Sequence, residues 1–197
     1  MYRNLQLQAG RMLRKQVFRL FVMALLLCGS AGCGEPETPG MKVTFRLNTR
    51  EGFIPSNQMA IWIQKPDGEL LRTLFVCDYL SYGGFAIPDI CPEWVSKSNW
   101  KAQGREHVDA VSQATPDAGM VNLVFDFQTD ELQPGAYEYC VEIHVAEKYN
   151  EMYRGKLEID EVTREISIGD PEVTYMPDKY PKGSGMLTEL KVEFKNI

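Results

Sequence analysis

Residues 132–146, LQPGAYEYCVEIHVA, decide the fold. Tyr137, Tyr139, Val141, Ile143 and Val145 recur at every second position, the period of a strand that buries one face. The LQPG stretch ahead of them is a Pro-Gly turn. Similar rows lie on either side. Val43, Phe45 and Leu47 alternate with Lys42, Thr44 and Arg46, and Met59, Ile61 and Ile63 make a second strand. Lys65-Pro66-Asp67-Gly68 is a turn with proline at its second position, where a fixed φ helps, and residues 70–76 return as the hairpin partner. Further rows are Val121, Leu123, Phe125 and Phe127; Leu157 and Ile159; Ile166 and Ile168; and Leu190, Val192 and Phe194. Residues 175–180, YMPDKY, read as a proline-containing loop. The pattern predicts an all-β protein: an immunoglobulin-like antiparallel β-sandwich of about seven or eight strands, with one face of each sheet buried.

The N-terminus reads as an export signal. Arg11, Arg14, Lys15 and Arg19 precede an apolar run at 20–27, LFVMALLL, which falls short of the about 20 residues that a membrane span needs. Small residues then lead to a cysteine: Ser30, Ala31, Gly32, Cys33. The order resembles the bacterial lipobox, with Ser30 where leucine is commonest. It predicts a lipoprotein signal peptide at 1–32, a lipidated Cys33 and a short Pro/Gly tether through residue 40. One β-sandwich domain follows at 41–197. Gly34 stands where an aspartate would favour inner-membrane retention, so the expected place is the outer membrane, facing the periplasm or the cell surface.

Composition narrows the partners. The signal segment carries five of the 21 Lys and Arg and none of the 27 Asp and Glu, so residues 33–197 pair sixteen basic with twenty-seven acidic groups, a formal −11. Such a chain repels a phosphate backbone, which excludes a nucleic-acid partner. Past Cys33 the cysteines are Cys77, Cys91 and Cys140. An envelope location permits a Cys77–Cys91 bridge with one thiol left over; three unpaired thiols are the alternative. With two histidines and no Cys-x-x-Cys there is no zinc-type cluster. Cys140 and His144 should share one polar, outward sheet face with Glu138 and Glu142, where a two-residue metal contact is conceivable.

The long interval 78–120 is nearly free of strand signals. An insertion of this size in a compact sandwich tends to be functional. Only 89–99, DICPEWVSKSN, looks helical, with Asp89 as its N-cap. Trp94 and Trp100 argue that the insertion is ordered. It also holds His107-Val108-Asp109-Ala110-Val111-Ser112-Gln113-Ala114-Thr115, followed by Pro116. The short side chain of Ala114 would present the Thr115 hydroxyl to a modifying enzyme; ordinary local hydroxyl bonding in a polar loop is the other reading. His107, Asp109 and Ser112 allow a hydrolase to be imagined, but triads are defined by geometry, and no Gly-x-Ser-x-Gly occurs.

The mature domain resembles the DUF2271 family of predicted periplasmic proteins. The resemblance runs through Ala60-Ile61-Trp62-Ile63, Asp67-Gly68, Arg72-Thr73-Leu74, Pro92-Glu93-Trp94, Val108 to Ser112, Ala114-Thr115, Ala118-Gly119, Pro134-Gly135-Ala136-Tyr137 and Ile166 to Asp170. Residues 126–137 are also similar to the Pro-Gly-x-Tyr hairpin of flagellar-hook-cap-like immunoglobulin domains. In the family the insertion usually reads like Asp-Ala-x-Ser/Thr-Gly-Ala-Thr, which is similar to the acceptor motif of flavinylated FMN-binding domains. The resemblance implies covalent FMN on Thr115, with Asp109 as the acidic residue and Ser112 and Ala114 within the motif. It also implies Trp94 or Trp100 as stacking partners for the ring. A flavin transferase and envelope redox proteins would be its partners, and the chain would be a redox carrier rather than an enzyme. Gln113 stands where glycine is usual, and Tyr149-Asn150 where relatives often have a His-Gly turn. The competing expectation is a non-catalytic binding or structural lipoprotein with no cofactor.

Overall fold

The computed structural model describes residues 40–126 and 132–195. Cys33, the signal segment and Phe127 lie outside the described residues. Among the described residues, ten strands form two sheets. The smaller has the order β10-β1-β5, from Leu187–Lys195, Gly40–Leu47 and Gly119–Phe125. The larger runs β4-β3-β2-β6-β7-β8. Its strands are Ser112–Gln113 (β4), Leu70–Cys77 (β3), Gln58–Gln64 (β2), Gly135–Ala146 (β6), Tyr149–Ile159 (β7) and Ile166–Ile168 (β8). Glu172–Met176 (β9) pairs with the first half of β7 while β8 pairs with its end.

The predicted rows form the core. Met41, Val43, Phe45 and Leu47 of β1 are buried, as are Met59, Ile61 and Ile63 of β2 and Tyr139, Val141, Ile143 and Val145 of β6. Each aliphatic side chain so buried contributes about 1.5–3 kcal/mol. The Lys65–Gly68 turn closes as expected: the Gly68 N–H donates to the Lys65 carbonyl at 2.9 Å, and Gly68 takes φ +88°. Tyr137 Oη donates to the Gln133 carbonyl, four residues upstream, at 2.7 Å. A tyrosine tied back to upstream backbone at a sheet corner marks immunoglobulin-type sandwiches. On the inner face Gly155 lies opposite Tyr139, and a Cβ there would sit 2.2 Å from the tyrosine ring.

The larger sheet departs from expectation in being covered on both faces. Glu142 and Cys140 are fully buried and His144 nearly so, and the insertion's backbone sits directly on Glu142. The face read as polar and outward is therefore the floor of a third, helical layer. That layer contains α1 (Asp78–Tyr82), α2 (Pro92–Ser98) and α3 (Arg105–Val111), joined by short 3₁₀ turns. The helix expected at 89–99 is α2, but Asp89 does not cap it. Cys91 precedes it in left-handed backbone with no side-chain cap. The Glu142 carboxylate of β6 does the capping, accepting the N–H groups of Glu93 at 3.2 Å and Trp94 at 2.8 Å. Asp89 instead offers its carbonyl to Asn150 Nδ2 at 2.9 Å, while Asn150 Oδ1 accepts the Cys91 N–H.

No bridge joins Cys77 and Cys91. All three described thiols are free and buried. Cys91 Sγ donates to the Gln58 and Glu142 carbonyls, so it is a packing group between β2 and β6. The loop expected at 175–180 begins as the end of β9 and becomes irregular only after Met176.

Candidate functional site

The loop that carries Ala114 and Thr115 is positioned by a short parallel pairing. α3 ends at Val111, and Ser112 and Gln113 then run beside Val76 and Cys77, the last residues of β3. This fixes the register of the next residues over the start of β2. Gln58, the first residue of β2, donates Nε2–H to Thr115 Oγ1 at 3.1 Å. Gln58 is only 9% exposed, so the bond is half sheltered, with Thr115 itself half-buried and Ala114 exposed. Gln58 Oε1 is buried with no hydrogen-bond partner among the described residues.

The Cys77 thiol lies beside the Thr115 hydroxyl and accepts the Met59 N–H at 3.3 Å. Burial pushes it up to about 11, so it stays a neutral thiol and does not compete as a nucleophile.

Asp109 and Ser112 come together through a residue the sequence did not single out. Tyr82 Oη donates to Asp109 Oδ1 at 2.7 Å, and this bond raises the phenol's pKa. The Ser112 hydroxyl lies beside the same phenol and donates to the Val108 carbonyl at 2.7 Å, closing α3. Arg105 Nε stands 3.4 Å from Asp109 Oδ2. Tyr79 and Tyr82, three apart on α1, are 55% and 63% exposed, and Tyr82 is the open aromatic face tied to the loop. Residues 78–82, DYLSY, carry two tyrosines three apart, but five residues are too few to announce the helix that puts them on one face. Gln58 gave no signal, since its role exists only once β2 lies under the loop.

Trp94 is not at this site. It has no exposed surface; its indole N–H donates to Thr73 Oγ1 at 3.1 Å, and its ring packs on Trp100 at 4.9 Å. Its place is the core of the helical layer. A hydrolytic relay is also missing. His107 lies edge-on to Trp100, Asp109 binds Tyr82 and Ser112 binds backbone, so the three side chains serve three different partners. Cys140 and His144 lie beneath the insertion. Burial raises the Cys140 thiol to about 12 and lowers the pKa of His144, whose Nε2 is 2.9 Å from the Glu147 carbonyl.

Gln113 is exposed and extended, paired with Cys77, and is not among the residues with positive φ. The backbone at this position therefore does not require glycine. Donor, hydroxyl, open small residue and exposed aromatics together fit a phosphoester-linked flavin.

No curated protein and no solved structure matches the chain. A family model, described as a predicted periplasmic protein (DUF2271), matches residues 40–174, which cover β1 to β8, the whole insertion and the start of β9. The chain belongs to the DUF2271 family of predicted periplasmic proteins.

Proposed function

We propose that this protein is an envelope lipoprotein that carries covalent FMN on Thr115 and serves extracytoplasmic electron transfer. One observation carries the reading: the hydroxyl of the motif's last residue is held by a buried amide at the edge of the sandwich, beside an exposed Ala114. A modifying enzyme needs such a fixed oxygen with small neighbours, because it must bring a phosphate to bonding distance. The external transferase would use an activated flavin nucleotide. The Thr115 Oγ–P bond forms, the phosphoanhydride of the donor breaks, its nucleoside monophosphate half departs, and the hydroxyl proton leaves to solvent. When bound, the isoalloxazine supplies the redox chemistry. This chain's residues fix and orient it: Gln58 holds the oxygen, and Asp109 fixes Tyr82 beside the loop. The covalent link keeps the cofactor where a free one would diffuse away, and a lipidated Cys33 keeps the carrier at a membrane, the outer one by the Gly34 criterion.

The test is the intact mass of residues 34–197 exported from a host that makes a flavin transferase. The expected result is a gain of FMN minus water, absent in Thr115→Val. An unmodified chain, with a known acceptor domain labelled in parallel, makes this a cofactor-free binding module. Lipidation is checked by incorporation of labelled fatty acid into the full chain and its loss in Cys33→Ser.

A further inference from the structure

Tyr82 belongs to two features at once. Its hydroxyl is held by Asp109 in the acceptor segment, and its ring walls an open groove of about 480 Å³ on the insertion. Phe85, Trp100 and Val108 supply further apolar lining, and Lys101 and Arg105 line it as well. The size falls within the range of about 300–1,000 Å³ usual for small-molecule sites. Phe85, Trp100 and Lys101 also line a neighbouring groove of about 430 Å³, so the recess continues along the helical layer.

The acceptor hydroxyl and the groove lie at opposite ends of one helix. Thr115 is beside Cys77, which immediately precedes α1, and Tyr82 is the last residue of α1. Five residues at a rise of about 1.5 Å put these ends on the order of 7–8 Å apart. A ribityl phosphate arm spans such a gap.

We propose that this groove seats the isoalloxazine ring of the flavin anchored on Thr115, with Tyr82 as its stacking partner and Lys101 and Arg105 as its electrostatic partners. The inference rests on the acceptor reading of Thr115. Tyr82 offers an exposed ring whose orientation is fixed by its bond to Asp109, which lowers the entropy lost on stacking. The two cations stand out in a stretch, residues 33–197, of net −11. A ring that gains negative charge on reduction is stabilised by nearby cations, so Lys101 and Arg105 raise its reduction potential. Arg105 also stands against Asp109, which offsets that carboxylate's repulsion of an incoming phosphate.

The full chain is exported with a flavin transferase, its mass is measured, and flavin fluorescence and midpoint potential are read on labelled protein. Stacking on an electron-rich ring quenches flavin emission. Tyr82→Leu is expected to be several-fold brighter than the native chain, Tyr82→Trp to remain dim, and labelled Lys101→Glu to have a lower midpoint potential than the labelled native chain. Equal brightness in labelled native and Tyr82→Leu chains overturns the groove assignment and leaves the acceptor reading standing. A native chain with no mass gain overturns the acceptor reading, and the groove assignment with it.

Discussion

The two ends of the insertion are held in opposite ways. At the α2 end, Trp94 and Trp100 are buried, Glu142 caps the helix from below, and Glu93 pairs with Lys97 at 2.8 Å and with Arg154 at 2.7 Å. At the other end α3 has no buried residue, and what holds it to α1 is an exposed tyrosine–aspartate bond. The first end is part of the core, and its opening would break buried hydrogen bonds. The second is a display surface, from the low-stability end of the fold. The acceptor role proposed for Thr115 needs both: a rigid base that sets its position, and an accessible rim where another protein can reach it.

Trp94→Ala should break the contrast most completely. It removes a fully buried indole and leaves the Thr73 hydroxyl without its donor, so about 3–5 kcal/mol of stability should be lost in denaturant titration. A loss below about 1 kcal/mol would mean that the α2 end is no better anchored than the rim.

Glu142 gives the second test, through pH. Burial raises its carboxyl from an ordinary 4.5 to about 7, against the lowering effect of the two N–H groups it accepts. The folded state therefore holds this proton more tightly than the unfolded chain. The associated stability is present below pH 4.5 and is lost as pH rises towards 7, at up to about 1.4 kcal/mol per unit. Between pH 5 and 8 the Tm of the native chain should fall relative to Glu142→Gln, which cannot ionise. Parallel pH profiles for the two would remove the buried carboxylate from the account of the α2 end.

The sequence was legible where large apolar residues recur at every second position of a strand. The rows in β1, β2 and β6 alternate because their inner residues meet the opposite sheet. The first half of β7 was not legible, because Asn150 and Glu151 are buried polar residues on a strand covered on both sides. Glu151 accepts the N–H groups of Gly185 and Met186 at 2.6 Å, a contact no local pattern announces. β9, which pairs with that half of β7, was missed with it. α1 and α3, at five and seven residues, are too short for a 3.6-residue period to register. At the candidate site, Asp109, Ser112, Ala114 and Thr115 could be read because they are contiguous. Gln58 could not, being 57 residues from Thr115 in the chain.

Thr115→Val tests whether Gln58 and Thr115 form a structural as well as a chemical pair. The substitution leaves the buried Gln58 N–H without its acceptor, so a loss of about 1–2 kcal/mol is expected, with Thr115→Ser recovering most of it. Equal stability in all three chains would mean that the bond does not hold the loop.

The smallest effect is expected at Gln113, where the resemblance to flavinylated domains implies glycine. If the backbone alone set the requirement, the native residue would be strained and Gln113→Gly would stabilise the fold. Gln113 is instead extended, exposed and paired with Cys77, which any side chain tolerates. Glycine there adds freedom to the unfolded chain and relieves nothing, so Gln113→Gly should cost about 0.5–1 kcal/mol. Its labelled fraction should match that of the native chain. A higher labelled fraction at this lower stability would locate the glycine requirement in the approach of the transferase rather than in the fold, and the display end of the insertion would then be shaped by its partner.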